Sequence, residues 1–260
     1  MKLLDKIKNA IFEEEEFDEE FASSSESVKE EEEPKKAEVK TAVSDIVKKI
    51  DIEKIIIVND GSEEKYASIF NELREQQQCI VIDHKQNKGK GRALKTGFDY
   101  ILKHEKNIDG VLTVGAHGQH TVVDIELMRE SSKLFADGIV LGVRRFRSRE
   151  LPMLSFLGNR AASILFEMLF HRRLLDIQTG LRYIPKSELV WLRKLPGEHF
   201  DYDTNMLVGA LKRNVPIYEI PIGYAKLRKN SIMNYDEIIG AKKMLQQIWT
   251  TFLKSKSDSE

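Results

Sequence analysis

Short apolar runs alternate with amphipathic segments along most of this chain, and this alternation restricts the fold more than any other feature. The runs at 55–58, 79–82, 110–114, 138–142 and 217–222 have the length and the Ile/Val content of buried strands. Segments with helical periodicity lie between them. The alternation predicts an α/β domain whose doubly wound, mostly parallel sheet is flanked by helices.

The composition agrees with one medium-sized domain that carries a polar extension. The chain has 260 residues, of which 41% are hydrophobic and 32% are charged. Its one cysteine, Cys79, excludes a disulfide framework and a cysteine zinc cluster, and it fits a reducing cytosol. No apolar run approaches the roughly 20 residues that span a bilayer. We therefore expect a cytoplasmic protein, in at most peripheral contact with the inner face of the cell membrane.

Two segments with different character precede the predicted domain. Residues 1–12 place four Leu and Ile side chains on one helical face and lysines elsewhere. This amphipathic pattern is typical of an interfacial membrane anchor, and it also fits a frayed tail or a helix docked on a partner protein. Residues 13–41 are acidic and serine-rich, which predicts a disordered linker.

The predicted domain covers residues 42–225, and a C-terminal amphipathic helix and tail follow at 226–260. The helix, at about 235–254, offers a second apolar face for peripheral membrane contact. Residues 1–36 carry 13 acids and 6 Lys/Arg, a net charge of −7, so the overall charge of −1 leaves +6 for the rest. Such a mildly basic body suits anionic ligands such as diphosphates, but its charge is too small to indicate nucleic-acid binding.

Five motifs stand in a fixed order along the predicted domain. They are Val58-Asn-Asp-Gly-Ser62, Asn87-Lys-Gly-Lys-Gly-Arg-Ala-Leu-Lys-Thr-Gly97, Gly118-Gln-His120, Gly142-Val-Arg144 and Asp176-Ile-Gln-Thr-Gly-Leu-Arg182. Each is weak alone, but their order and spacing over about 51–225 resemble glycosyltransferase family 2 of the GT-A fold. The chain is similar to the dolichol- and polyprenyl-phosphate sugar transferases of that family. This resemblance implies sugar transfer from a UDP- or GDP-linked donor to a lipid-phosphate acceptor.

The resemblance also implies roles for individual residues. The nucleotide-binding positions are Asp60, Gly61, Asn87, Gly89 and Gly91. The catalytic positions are Asp176, Gln178 and Arg182, and the phosphate-binding positions are Arg144 and Arg182. Simpler interpretations fit the residues as well: Asp60 or Ser62 as a helix N-cap, the glycine-rich turn as a plain connection, Asp176 and Gln178 as turn residues, and the basic run 144–149 as a solvated loop.

Two departures from the family pattern bear on activity. The family's metal turn reads Asp-x-Asp-Gly-Gln-His and holds a divalent cation against the diphosphate, whereas here Gly115 and His117 occupy the two Asp positions. His117 and Gln119 are the candidate metal ligands that remain, and the alternative is a turn that keeps only its shape. The first strand of the family is also missing or reduced to a remnant at Ala37–Val43.

Two hypotheses of different class follow from these observations. The first is a sugar transferase with impaired activity, which uses Mn²⁺ or Mg²⁺ if it is active. The second is an inactive pseudo-glycosyltransferase without a cofactor, acting with a protein partner as a tethered binding, regulatory or scaffold module in cell-envelope synthesis or division. The second hypothesis draws on the N-terminal residues, because the helix at 1–12 and its Glu-rich linker resemble the membrane anchor of the bacterial division protein SepF.

Overall fold

The computed structural model describes residues 46–50, 52–115, 120–144, 153–223 and 235–257. Several sequence predictions lie outside these residues and stay predictions: the anchor at 1–12, the linker at 13–41, the candidate metal ligands His117 and Gln119, and most of the basic run at 144–149.

Strands and helices alternate through the described chain, as the sequence predicts. The strands are β1 (Ile55–Asp60), β2 (Cys79–His84), β3 (Gly110–Thr113), β4 (Ile139–Arg144), β5 (Arg182–Pro185) and β6 (Ile217–Ile222). The α-helices are α1 (Ala67–Glu75), α2 (Lys90–His104), α3 (Val122–Leu134), α4 (Met153–Phe170), α5 (Lys186–Leu192), α6 (Asp201–Lys212) and α7 (Tyr235–Ser257). A 3₁₀ helix at Glu64–Tyr66 leads into α1, and residues 46–49 are also helical.

The strands form two sheets. β1 and β2 pair in parallel, and the second sheet has the order β3-β5-β4-β6. β4 and β6 are parallel, whereas β5 runs antiparallel to both β3 and β4. The predicted α/β class with flanking helices is confirmed, and the antiparallel β5 makes the larger sheet mixed.

The sequence did not predict β5 or the helix α5 that follows it. The strand has only four residues, Arg182 begins it and Pro185 ends it, and α5 has only seven residues. A charged first residue and a terminal proline both weaken the sequence signal of a strand, because proline is rare inside sheets. This segment therefore carries no clear sequence signal of a strand or a helix.

Both faces of the larger sheet are packed against helices. Ile139 and Leu141 of β4 lie in the main core together with Phe166 of α4 and Met206 of α6. Val140, whose side chain points to the opposite face, belongs to a second cluster that includes residues of α3. The alternation along β4 thus fills both layers, as expected for a central strand.

Helix α7 uses the described part of its apolar face for packing. Ile248 and Trp249 are buried in the main core, and the ring of Phe252 meets the ring of Phe170 edge-on, with centroids 5.8 Å apart. This face therefore has a role in the fold, and the membrane contact predicted for 235–254 stays a prediction. Within the described ranges, no helix combines the length and apolar content that crossing a bilayer requires.

Candidate functional site

Asp60 organises the glycine-rich turn at the carboxyl end of β1. Its Oδ1 accepts a hydrogen bond from the amide of Lys88 (2.9 Å), and its Oδ2 accepts one from the amide of Gly89 (2.8 Å). His84, at the end of β2, places Nδ1 2.6 Å from the same carboxylate and Nε2 2.9 Å from Oγ1 of Thr96. Asp60 therefore fixes the turn, and its contact with a nucleotide stays a prediction.

These hydrogen bonds keep the Asp60 carboxylate ionised. Burial by itself raises the pKa of Asp60, but the hydrogen bonds from His84 and from the two turn amides outweigh burial. The pKa of Asp60 therefore lies below its ordinary value, because the charged form is the one that accepts these bonds.

The N-cap interpretation of Asp60 and Ser62 does not describe this turn. The 3₁₀ helix has Glu63 at its N-cap position and no side-chain cap bond. The amide of Ser62 instead donates to Oδ1 of Asn59 (3.1 Å), whose amide nitrogen donates to Asp83 (2.9 Å). Asn59, which replaces an Asp of the family pattern, thus has a local structural role.

Backbone packing explains the glycines of the turn. Gly61 and Gly89 have φ values of 68° and 95°, in the left-handed region that favours glycine. A Cβ on Gly61 would collide with the amide of Asn87, and a Cβ on Gly89 would collide with the ring of His199. A Cβ on Gly91 would also lie too close to the segment 197–202. The chain itself therefore requires these glycines, and their proximity to a ligand stays a prediction.

A cleft opens beyond this turn, at the carboxyl ends of β3 and β4. Its lining residues are Lys90, Gly115, His120, Arg144, Ile177, Gln178, Gly180, Phe200, Asp203, Thr204 and Gln247. Of the predicted site residues, Arg144 and Gln178 line this cleft together. Asp60 and the turn glycines do not line the cleft. They position Lys90, which directly follows Gly89 and lines the cleft.

Two cationic side chains in the cleft are paired with carboxylates. Lys90 Nζ forms an ion pair with Oδ2 of Asp203 and lies 5.8 Å from the ring centre of Phe200. Arg144 makes a bidentate pair with Asp176, with its Nε 2.6 Å from Oδ2 and its Nη2 2.8 Å from Oδ1. Asp176 is 0% exposed, so its carboxylate orients Arg144 from inside the protein.

Arg182 occupies a different environment from the one predicted. Its side chain is 1% exposed, and it donates to the carbonyl oxygens of Thr179 (2.9 Å), Ile177 (2.9 Å) and Asp203 (3.0 Å). The guanidinium thus ties the turn at 176–181 to the start of α6. The structure does not bring Arg182 to the cleft lining, because Arg182 begins the buried strand β5.

The described residues do not fit a Mn²⁺ or Mg²⁺ ion. In the part of the chain that the structure describes, no three His, Cys, Asp or Glu side chains come together in a way that could hold a metal. Gly115 contributes no side chain to the cleft. Asp124, at the start of α3, forms a capping box with Thr121 and accepts a hydrogen bond from the amide of Gly223 (2.8 Å). His117 and Gln119 lie outside the described residues, so their ligand role stays a prediction.

The sequence did not identify Lys90, Phe200 or Asp203 as site residues. Lys90 stands inside the glycine-rich motif, so its position was a signal that could have been used. Asp203 is 113 residues away from its ionic partner, and no local pattern marks it. Only the packing of the segment 197–202 onto the glycine-rich turn brings the two together.

Comparison with known proteins identifies the family of this chain. Residues 32–184 match the family model described as Glycosyl transferase family 2, which covers more than half of the chain. A search of curated proteins finds no match.

Solved structures share the fold at low sequence identity. One is glucosyl-3-phosphoglycerate synthase from Mycobacterium tuberculosis in complex with Mn²⁺, UDP-glucose and glycerol 3-phosphate, at 17% identity, with a TM-score of 0.55 over 85% of this chain and 76% of that one. The structure of the same enzyme with Mn²⁺, UDP-glucose and phosphoglyceric acid is 14% identical, with a TM-score of 0.58 over 84% of this chain and 76% of that one. Mannosyl-3-phosphoglycerate synthase from Rubrobacter xylanophilus is 13% identical, with a TM-score of 0.56 over 80% of this chain and 65% of that one. The fold is that of GT-A proteins, and the chain belongs to glycosyl transferase family 2.

Proposed function

We propose that this protein binds a nucleotide-sugar at the cleft and transfers the sugar to an acceptor that carries a phosphate. Family membership supports the nucleotide-sugar donor. The observation that carries the rest is the pair of cationic side chains, Lys90 and Arg144, which line one cleft at the carboxyl ends of the strands. This is where open α/β folds bind their ligands.

The cations suit phosphate groups, although each is already paired. Arg144 presents a planar guanidinium that binds phosphate oxygens in bidentate fashion, and Lys90 adds a compact charge. The buried Asp176 holds Arg144 in one orientation, so the arginine loses little conformational entropy when it binds. Gln178 adds an amide at the same wall of the cleft. Asp203, the partner of Lys90, must share that cation with an incoming phosphate.

The chemistry of the acceptor decides what the protein has to supply. In the transfer, the bond from the anomeric carbon to the nucleoside diphosphate breaks with its electron pair going to the diphosphate, and an acceptor oxygen forms the new bond. A phosphate oxygen of a polyprenyl phosphate is already anionic and needs no base. A hydroxyl acceptor, as on a phosphorylated sugar acid, must lose a proton, and among the described lining residues Asp203, the partner of Lys90, is the carboxylate that can accept it.

Two acceptor sources share this phosphate chemistry. The motif resemblance favours a polyprenyl-type lipid phosphate at the cytoplasmic face of the membrane. The solved structures that share the fold include one synthase in complex with glycerol 3-phosphate and, separately, with phosphoglyceric acid. Mn²⁺ accompanies UDP-glucose in that synthase, whereas Gly115 of this chain contributes no metal ligand. Stabilisation of the leaving diphosphate would then depend more heavily on Lys90 and Arg144.

A second candidate function is a binding module without turnover. The observation in its favour is the glycine at position 115, where the family pattern has a metal-binding Asp. Such a pseudo-glycosyltransferase would keep the nucleotide pocket as a regulatory or scaffold site, tethered through the N-terminal residues to a membrane or a protein partner.

Calorimetric titration with UDP and with GDP, each with and without Mn²⁺, tests the proposal. We expect binding that Lys90→Met weakens about tenfold to hundredfold, since a hydrogen bond to a charged group contributes about 1.5–3 kcal/mol. Arg193→Met is the matched control, because Arg193 pairs with Asp99 away from the cleft. The lack of binding to either nucleotide under all conditions would contradict both candidate functions.

Transfer assays then separate the candidates and the acceptors. UDP- or GDP-sugars are offered with a polyprenyl phosphate in vesicles, or with 3-phosphoglycerate in solution. Product in one arm identifies the acceptor source, and nucleotide binding without product in either arm supports the module. The double variant Gly115→Asp/His117→Asp restores the family's acids, and we expect it to make nucleotide binding metal-dependent if the rest of the pocket is intact.

A further inference from the structure

Part of the cleft lining is uncharged and comes from the two helices α6 and α7. Phe200 stands at the N-cap of α6, Thr204 lies in the first turn of that helix, and Gln247 belongs to α7. These three residues are called the helical wall below. All three lie beyond residue 184, where the match to the family model ends, and none of them belongs to the five sequence motifs.

Contacts between α6 and α7 bring the residues of the helical wall together. Phe200 and Thr204 are four residues apart, a spacing that places two side chains on the same side of a helix. Oγ1 of Thr251, one turn after Gln247 on α7, donates to Oδ1 of Asn205 (2.8 Å). This hydrogen bond holds the Gln247 side of α7 beside the start of α6.

Thr204 and Gln247 have hydrogen-bonding groups that the described fold does not use. Thr204 is 5% exposed, and its hydroxyl forms no hydrogen bond with any residue that the structure describes. The side-chain amide of Gln247 likewise has no partner within the described ranges. Polar side chains that are largely enclosed normally have a partner. Because both residues line the cleft, a ligand bound there can supply that partner.

Phe200 adds an accessible aromatic ring next to these groups. The side chain is 59% exposed although it lines a cleft, and Nζ of Lys90 lies 5.8 Å from the centre of its ring. An apolar ring beside uncharged hydrogen-bonding groups suits a pyranose, which presents C–H groups on one face and hydroxyls around its edge. A diphosphate bound at Lys90 would hold its attached sugar within reach of this ring.

We propose that the helical wall binds the sugar ring of the donor and selects an uncharged pyranose. This inference rests on the proposed function, because the diphosphate at Lys90 sets the position of the sugar. Thr204 and Gln247 bond to sugar hydroxyls, and Phe200 packs on the C–H face. A uronic acid would gain no cation from the helical wall, and it would bring its carboxylate close to that of Asp203.

Calorimetric titration of the full chain with nucleotides and with their sugar derivatives tests the proposal. UDP is compared with UDP-glucose, UDP-galactose and UDP-N-acetylglucosamine, and GDP is compared with GDP-mannose, so that the ratio of dissociation constants isolates the sugar. We expect one of these sugars to tighten binding, and Thr204→Val or Gln247→Met to reduce that gain about threefold to tenfold, the range of one net hydrogen bond. Binding of the nucleotide alone should be unchanged. Gln77→Met, at an exposed position in the turn before β2, is the matched control.

Phe200→Leu is a further variant that leaves the core intact, because the side chain is exposed. We expect it also to reduce the gain from the sugar without changing the affinity for the nucleotide. UDP-glucuronate should bind more weakly than the best uncharged donor.

Four results would overturn the proposal while the nucleotide still binds. They are a sugar that adds no affinity, a gain that all three variants leave unchanged, an equal loss for the nucleotide and its sugar derivative, and tighter binding of UDP-glucuronate. A wild-type chain that binds no nucleotide would contradict the proposed function itself, and this inference with it.

Discussion

Strands β4 and β1 have similarly apolar sequences, but β4 is buried to a greater extent than β1. β4 (Ile-Val-Leu-Gly-Val-Arg) lies between two strands, and Ile139, Val140 and Leu141 are fully buried. β1 (Ile-Ile-Ile-Val-Asn-Asp) is at least as apolar in its first four residues, yet none of its residues is fully buried in the described structure. An apolar run thus predicts a strand but not the number of its neighbours.

The two sides also hold their polar side chains differently. On the β4 side, Asp176 and Arg182 are enclosed and their polar atoms are used within the fold. On the β1 side, Asp60 holds a turn that leads directly to Lys90 at the cleft. The cleft thus receives one cation from each side, Arg144 at the end of β4 and Lys90 after the turn that Asp60 holds.

The largest expected effect is on the β4 side, at Arg182. Arg182→Met would leave three buried carbonyl groups without their donor, and we expect it to lower the free energy of unfolding by about 3–5 kcal/mol. Urea unfolding measures this loss. Arg193→Met, which removes an exposed ion pair with Asp99, is the matched control and should cost less than about 1 kcal/mol. Equal costs would mean that Arg182 is not enclosed as described.

Arg182 also shows where prediction from sequence reached its limit. The alternation of apolar and amphipathic segments was sufficient for the α/β class, because the side-chain period reports local structure directly. The direction of β5 depends on pairing with β3 and β4, far away in the sequence, and a four-residue strand carries little signal of its own. The motif placed Arg182 near the site, but the strand carries it into the interior.

The sequence predicted part of the candidate site. Arg144 and Gln178 line the cleft, and each belongs to a motif that the sequence displays. The hydrogen bonds of Asp60 to Lys88 and Gly89, and the pairing of Lys90 with Asp203, join segments that are distant in sequence. Such pairs depend on the way the loops pack, which no local pattern encodes. The nucleotide, catalytic and metal roles implied by the family resemblance stay predictions.

A smaller effect is expected from truncating an isoleucine in β4 and in β1, which compares the burial of the two strands. Ile139→Ala in β4 should cost about 2–5 kcal/mol in urea unfolding. Ile57→Ala in β1 should cost about 1–2 kcal/mol less, because every residue of β1 is only partly buried and loses less apolar contact on truncation. Equal costs would mean that β1 is as enclosed as β4.

The smallest expected effect is the pH dependence that Asp60 contributes on the β1 side. Its pKa in the folded chain lies below the ordinary value of 3.8, so the folded state favours the ionised form more than the unfolded state does. This stabilisation is fully present above the unfolded pKa and is lost as the pH falls through the lower folded pKa. We therefore expect the stability difference between wild type and Asp60→Asn to be present at about pH 5, roughly one unit above the ordinary pKa of 3.8, and to shrink below about pH 4. Urea unfolding from pH 2.5 to 7 measures it, with Asp137→Asn as the control that removes a carboxylate ahead of β4. A difference that grows as the pH falls would show that Asp60 is not held ionised by the turn.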